Sequence, residues 1–488
     1  MQTPGLETPV RDDGLMTLMF NYGRYLLIQA QRIGGMPAAI EGIWCEEIQS
    51  PFNGDYHINA QQGTYWHAES CNLPEFHEPY LKLAQALTVN GSDVARKFYN
   101  SRGWTAHTIT NPWLYALPGG EPHWGGTIVG GAWLCVHLWE HYLYGEDKDY
   151  LKEVFPTMKG GALFLLDRLV VDPETGKKVI FPGNTPENFY EDEDGNPLSV
   201  SLGTAYDMGI TRYLFKAVAD AYEVLEAAGM AGDLEADAGS EAGATAASEV
   251  EELKAAYDEL AYYGINSKGK FMEWQREFTE HKPFHRHISP LWCVYPGCEV
   301  SREETPELAE AAMVLLNSRT FTGQMWAMTW RCAVLARLHD GDRIDWILNT
   351  LNYFGITANL LSHVYFAKQD ETTPETDLQT PFDNKAIFEI DGNTGYSAVV
   401  VEMLMQSHRT EDGLRVIELL PSLPSAWKSG SIRGMRARGE IIVDLAWENG
   451  ELKSAEVTGA AGKKCIVKYK GVKKVIELTG EKVSVVME

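Results

Sequence analysis

Two acidic residues and a run of amides are where this sequence could do chemistry. Glu187 lies in Phe181-Pro-Gly-Asn-Thr-Pro-Glu-Asn-Phe189, directly after Pro186 and among apolar and amide neighbours. Such a setting raises a carboxyl pKa and would let Glu187 deliver a proton to a leaving group. A glutamate after proline is also an ordinary first-turn helix residue. Asp391 lies in Phe388-Glu-Ile-Asp-Gly-Asn-Thr-Gly395, a Gly-rich turn before an apolar helix. It reads either as an N-terminal cap or as a catalytic base. The segment from Asp55 to Trp66 packs His57, Asn59, Gln61 and Gln62 ahead of Tyr65-Trp66, then reaches Glu69. Carboxamides and a histidine grip several hydroxyls at once, and Trp66 offers a stacking face. The plainer alternative is a buried polar loop whose amides satisfy its own backbone.

His285-Arg-His287, with Glu273-Trp274 upstream, could hold a substrate oxygen or orient a carboxylate. Histidines at i, i+2 make a weak metal site, because the spacing supplies no further ligands. His137, Glu140 and His141 spell H-x-x-E-H, but no third ligand is apparent and the pair reads as structural. The sequence therefore implies no metal and no cofactor. Two carboxylates on separate loops, with amides and histidines between them, form the layout of a glycosidase: one carboxyl protonates the glycosidic oxygen and another group activates water.

These residues need a scaffold. Apolar residues recur at helical spacing over Leu15–Gln31, Pro74–Thr88, Val129–Leu143, Leu151–Leu169, Tyr206–Ala227 and Glu249–Tyr263. The same pattern returns over Pro306–Asn317, Gln324–Leu338, Ile344–Asn352 and Tyr396–Ser407. Gly34 to about Gly63 reads as a loop, and 228–248 as a solvated, low-complexity insertion. After Glu411 the period changes: Ile441, Val443, Leu445 and Trp447 alternate, and Asn449-Gly450 signals a hairpin. The expected fold is mainly α, an (α/α)6 toroid over 1–410 with a possible linker helix at 1–33, followed by a small C-terminal antiparallel β domain at 411–488.

Composition narrows the function classes. Forty-two basic against 68 acidic residues leave a net charge of −26, which argues against nucleic acid and anionic membrane as partners. No apolar run reaches the ~18–20 residues of a membrane span. Met1 to Arg11 lacks the order of a signal peptide, and seven scattered cysteines without a CxxC favour a reducing, cytoplasmic setting. Fourteen Trp, 22 Tyr and 17 Phe suit a sugar pocket as well as a large core.

Further segments make the pattern specific: Gly-Ile-Trp44, Asp55-Tyr-His57, Tyr-Trp-His-Ala-Glu69, Arg-Gly-Trp104, the run from Gly130 to Tyr142, Thr-Pro-Glu187, His-Arg-His287, Ile-Asp-Gly-Asn393, Gln-Ser-His408 and Leu-Leu-Pro-Ser-Leu-Pro424. In these the chain resembles glycoside hydrolase family 95, the inverting α-L-fucosidases and α-L-galactosidases, from about Tyr22 to the C-terminus. The resemblance implies an (α/α)6 catalytic barrel acting on an oligosaccharide or glycoconjugate. Glu187 would be its general acid, and Asp391 would polarise an amide that activates water. The amide would come from Asn59 or Gln61, and sugar contacts from His57, Trp66, Glu69, His107, Trp133, His285 and His287.

The chain departs from the family pattern in places. The run after His57 is one residue short, so counting from His57 puts Gln61 at the water-activating amide, while counting back from Trp66 assigns no amide there. Pro290 follows Ser289 where the family has histidine, and Asn111 stands where aspartate is expected. Family members also carry a β-sandwich before the barrel, and this chain starts at the linker helix or barrel edge. The resemblance thus leaves two alternatives beside hydrolysis: a sugar-binding relative with impaired turnover, and another (α/α)6 carbohydrate-active enzyme.

Overall fold

The computed structural model describes residues 10–319, 325–364, 371–372 and 387–487. Its larger part alternates outer and inner helices. The outer ones are α1 (Asp13–Ala30), α3 (Glu78–Tyr99), α6 (Lys148–Asp167), α8 (Ala246–Glu259), α9 (Pro306–Ser318) and α11 (Gly341–Phe354). The inner ones are α2 (Ile58–Ser70), α5 (Gly130–Gly145), α7 (Ala205–Ala227), α10 (Met325–Arg337) and α12 (Ile390–Leu404); α4 (Pro122–Gly125) is a short turn between rings. The sixth inner position is taken by a 3-10 turn, Ser289–Cys293, packed on α7. The ring closes where α12 packs against both α1 and α2. This is the (α/α)6 toroid.

Burial explains which helices the sequence pattern finds. Outer helices bury one stripe, and their polar faces make the 3.6-residue period visible. Every residue of α10 and α12 is buried, and in α2 all but Asn59 and Trp66. The apolar runs of α10 and α12 still mark them as helices, whereas α2 carries Asn, Gln and Gly near its start, which hide its pattern. That is why the segment expected to be a loop up to Gly63 turns helical at Ile58. Gln324, the first residue of one expected helix, lies outside the described residues. The stretch 228–248 is largely exposed and is tied to the barrel at a few points: Lys159 Nζ donates to Glu235 O at 2.6 Å, and Glu249 Oε1 accepts from Asp237 N at 2.8 Å and from the Ser240 hydroxyl.

The tail forms two sheets. One holds Thr410–Glu411, Leu414–Leu419, Lys464–Tyr469 and Val472–Glu477, with Met405–Gln406 pairing onto Leu414–Leu419. The other holds Ser429–Ala437, Ile441–Glu448, Glu451–Thr458 and Val483–Val485. Ile441, Val443, Leu445 and Trp447 all face inward, and the hairpin turns at Asn449 (φ 55°) and Gly450 (φ 77°) as the sequence predicts. Pairing is antiparallel except between Leu414–Leu419 and Lys464–Tyr469, which run parallel.

The base of the barrel rests on this tail. Arg436 Nη1 reaches Glu69 Oε2 at 2.7 Å, and Arg438 reaches Glu140 Oε2 at 2.6 Å. Backbone bonds join Gly439 N to Leu143 O and Glu440 N to Tyr144 O, at 2.7 and 2.9 Å. Glu69 is also bonded to His77 (2.9 Å) and His141 (2.5 Å), and His77 passes through His137 to Gln62.

Candidate active site

Glu187 is presented by a short irregular segment between α6 and α7 whose flanks are clamped. Thr185 Oγ1 and Asn188 Nδ2 each donate to the buried Glu273 carboxylate at 2.9 Å, and Arg319 neutralises it at 2.5 Å. Asn184 N donates to Asp207 Oδ2 at the start of α7, at 2.9 Å. Pro186 O accepts from Ser289 Oγ (2.5 Å) and His287 Nδ1 (3.2 Å). With its neighbours fixed on both sides, Glu187 has little freedom beyond its own side-chain torsions.

Its charge is set by Arg286. One guanidinium nitrogen lies 2.6 Å from Glu187 Oε2 and the other 2.6 Å from Glu371 Oε1. Burial alone would raise the Glu187 carboxyl, but Arg286, then His287 and His123, outweigh it and hold it below its usual value. The sequence-based expectation of a raised pKa is therefore overturned in the empty site. An apolar neighbourhood was legible along the chain; a guanidinium from 99 residues away was not. Glu371, fixed by Arg286 and by Lys282 at 3.0 Å, has no signal in the sequence. Arg286 is taken up by these two carboxylates.

Across from Glu187 stand the entrances to α2 and α12. His57 precedes α2 in a two-residue strand paired with Ile109–Thr110. Burial lowers its pKa while Asp55, Glu187 and Glu41 oppose that shift, so His57 lies within the field of Glu187. Asp391 sits in the first turn of α12 and is fully buried, and neither of its oxygens finds a donor among the described residues. Burial pushes its carboxyl well up. Gly63 lets α2 come this close, since a Cβ there would stand 3.3 Å from the Asp391 Cβ. Asn59 Oδ1 and Gln61 Oε1 are both buried without a partner among the described residues, and Gln61 Nε2 donates to Ala38 O.

The remaining expected contacts divide. His287 and His285 stay beside Glu187: His285 Nδ1 accepts from His287 N at 3.1 Å, so the pair is ordered internally. Four other residues serve the barrel instead. Glu69 is the ion-pair hub at its base, and Trp66 lines a chamber of about 50 Å³ there with Glu69 and Tyr295. His107 uses both ring nitrogens, on Ala116 O (2.7 Å) and Tyr99 Oη (2.6 Å). Trp133 is 1% exposed, packed among Tyr206, Trp292 and Trp330. Glu69 and His107 thus have structural partners, while the indole nitrogens of Trp66 and Trp133 are buried without one among the described residues. Asn111 turns inward on its own loop, accepting from Trp113 N at 3.0 Å. His137, Glu140 and His141 do not converge on one point, since Glu140 turns to Arg438 and Tyr213. A cavity of about 510 Å³ between α1 and the tail, lined by Arg11, Phe20, Arg24 and Trp427, holds no opposed carboxylates, so the chemistry points away from it.

A double ring of helices with a β tail at its base defines the (α/α)6 toroid class. Sequence comparison gives the family. The chain belongs to glycosyl hydrolase family 95, whose catalytic domain matches residues 5–404 and whose C-terminal domain matches residues 406–488. It is similar to "Alpha-L-fucosidase 2" of Arabidopsis thaliana, 33% identical over 484 residues, covering 97% of this chain and 53% of that one. "Probable alpha-fucosidase A" of Aspergillus niger is 28% identical over 467 residues, covering 90% and 53%. The chain thus spans about half the length of the curated relatives it matches. The native alfa-L-rhamnosidase from Aspergillus terreus shares the fold, with a TM-score of 0.51 at 12% identity over 97% of this chain and 50% of that one. No helix among the described residues is long and apolar enough to cross a membrane.

Proposed function

We propose that this protein is an inverting exo-glycoside hydrolase releasing terminal α-L-fucose, or the related L-galactose, from oligosaccharides or glycoconjugates. The observation that carries it is the Glu187 carboxylate clamped by Arg286, in a barrel whose α12 entrance buries a second carboxyl, Asp391. The names of the similar proteins support the sugar. Glu187 protonates the leaving oxygen, Asp391 belongs to the side that activates water, and His57 and His287 are placed to meet sugar hydroxyls. Asn59 and Gln61 each keep a buried amide oxygen without a partner among the described residues, and Gln61 is tied through its nitrogen to Ala38 O. That tie also favours a second reading, a sugar-binding relative with impaired turnover. One assay decides between them: aryl α-L-fucoside hydrolysis followed by NMR. The expected first product is the β-anomer. The α-anomer first would exclude inversion, and binding without turnover would support the second reading.

Arg286→Gln tests the acid separately. A general acid must hold its proton, so in the free enzyme kcat/KM falls as pH rises through the Glu187 pKa. Arg286 keeps that pKa low, and removing its charge raises it. The alkaline limb of the kcat/KM profile is therefore expected to move to higher pH, whatever happens to the absolute rate. A limb that stays in place would mean that it does not report Glu187.

A further inference from the structure

Three side chains of metal-ligating type meet at the base of the barrel. Glu69 near the end of α2, His77 at the start of α3 and His141 on α5 converge there. Glu69 Oε1 lies 2.9 Å from His77 Nδ1 and 2.5 Å from His141 Nδ1, and the three atoms are all within 4.8 Å of one another. Glu69 and His77 are buried, while the His141 side chain is 24% exposed. The H-x-x-E-H motif thus contributes His141 directly, and its other histidine, His137, stands behind His77.

The protons along this chain of bonds can be counted. Gln62 Nε2 lies 2.7 Å from Ile58 O and 3.0 Å from Tyr80 Oη. A backbone carbonyl only accepts, so the amide nitrogen must face it, and Gln62 Oε1 is left to accept from His137 Nε2 at 2.7 Å. With one proton, His137 then accepts at Nδ1 from His77 Nε2, 2.8 Å away. His77 has spent its own proton there, and its Nδ1 turns a lone pair toward Glu69 Oε1. Burial lowers the pKa of both rings, against the pull of Glu69, which keeps each to a single proton. Arg436 Nη1, 2.7 Å from Glu69 Oε2, keeps the carboxylate ionised. Two acceptors facing each other at 2.9 Å in a buried site repel unless a cation lies between them.

We propose that Glu69, His77 and His141 form a binding site for a divalent cation of the zinc type. Imidazole nitrogens with one carboxylate oxygen are the donors such an ion takes. His137 and Gln62 fix the tautomer and ring of His77, and Arg436 fixes the carboxylate, as the outer partners of metal ligands do. Tetrahedral zinc with bonds of ~2.0–2.2 Å sets its ligand atoms ~3.3 Å apart, so the two short gaps open by less than ~1 Å on binding. His141 moves its proton to Nε2, and no net charge leaves the ring. A chamber of about 50 Å³ bordered by Glu69 and His77 admits a water as fourth ligand. The ion joins α2, α3 and α5 and, through Arg436, the tail. This is a structural role, independent of the sugar chemistry at the opposite mouth.

The test equilibrates chelator-stripped wild type, His141→Ala and His77→Gln with zinc chloride and dialyses each. Metal per chain is then measured by mass spectrometry, affinity by competition with a chromogenic chelator, and melting temperature against free zinc. Wild type is expected to retain about one zinc per chain and to melt higher as free zinc rises. Each variant is expected to bind at least ~10-fold more weakly. His141 is partly exposed, so its variant carries the decision if His77→Gln does not fold. Cobalt(II) added to wild type should give the strong visible bands of a tetrahedral site, a readout that needs no variant. Zinc held as tightly by either folded variant as by wild type would place the ion elsewhere and overturn the proposal. No zinc retained by wild type, with an unmoved melting temperature, would overturn it too and assign the gap between His77 and Glu69 to a proton.

Discussion

Glu187→Gln is expected to slow hydrolysis of an unactivated fucoside by ~10²–10⁴-fold, the usual worth of a positioned general acid. The substitution is nearly isosteric, and a glutamine oxygen can still accept from Arg286, so the clamped segment keeps its shape. KM should change little, because the lost interaction belongs to the transition state. The diagnostic reading is the dependence on leaving group. An aryl group whose phenol is already a strong acid departs without protonation, so the variant should lose much less on that substrate than on an alkyl fucoside. Equal losses on both substrates would mean that Glu187 holds the sugar rather than donating a proton, and equal rates for wild type and variant would remove it from the mechanism. The lowered pKa of the empty site is compatible with an acid role if a bound sugar screens Arg286 from the carboxyl, and the pH profile of Arg286→Gln bears on that point.

Asp391→Asn should move activity and stability in opposite directions. Activity is expected to fall by ~10²-fold or more, because the water-activating side loses the carboxyl that supports it. Stability is expected to rise at neutral pH. Burial raises the Asp391 pKa in the folded protein above its value in the unfolded chain. The folded state therefore binds the proton more tightly, and stability declines as pH climbs from the ordinary aspartate value toward the raised one. An asparagine carries no such penalty, so the variant should melt higher than wild type at pH 7 and match it more closely in acid. A purely structural Asp391 would give the reverse: a lower melting temperature, with activity lost only in proportion to folded protein. The pairing of lost rate with gained stability is the mark of a residue kept for function.

Glu187 and Asp391 were legible because each lies in a local context: a proline-flanked glutamate among amides, and an aspartate at a Gly-rich helix entrance. The outer helices and the Asn449-Gly450 hairpin were legible for a similar reason, since a half-buried element writes its period into the sequence. Helix α2 was not, because nearly all its side chains are buried and its amides sit where apolar residues would ordinarily mark a face. Contacts from far along the chain were also hidden. Arg286 meets Glu187 across 99 positions, and Arg436 meets Glu69 across 367. Glu69 and His107 show the converse: side chains of a type suited to a sugar are bonded within the barrel.

The two arginines that reach from the tail into the base of the barrel bear on how the molecule evolves and fails. Arg436 and Arg438 neutralise Glu69 and Glu140, two carboxylates that belong to inner helices. A barrel separated from its tail would keep these acids partly buried and lose their counter-charges, a loss that costs about 3–5 kcal/mol for each broken pair. Catalytic ring and tail are therefore one cooperative unit of folding, although the sequence divides them cleanly near residue 405. Each half constrains the substitutions open to the other. Exchanging the tail for a relative's is expected to lower stability unless the acidic residues at the barrel's base travel with it.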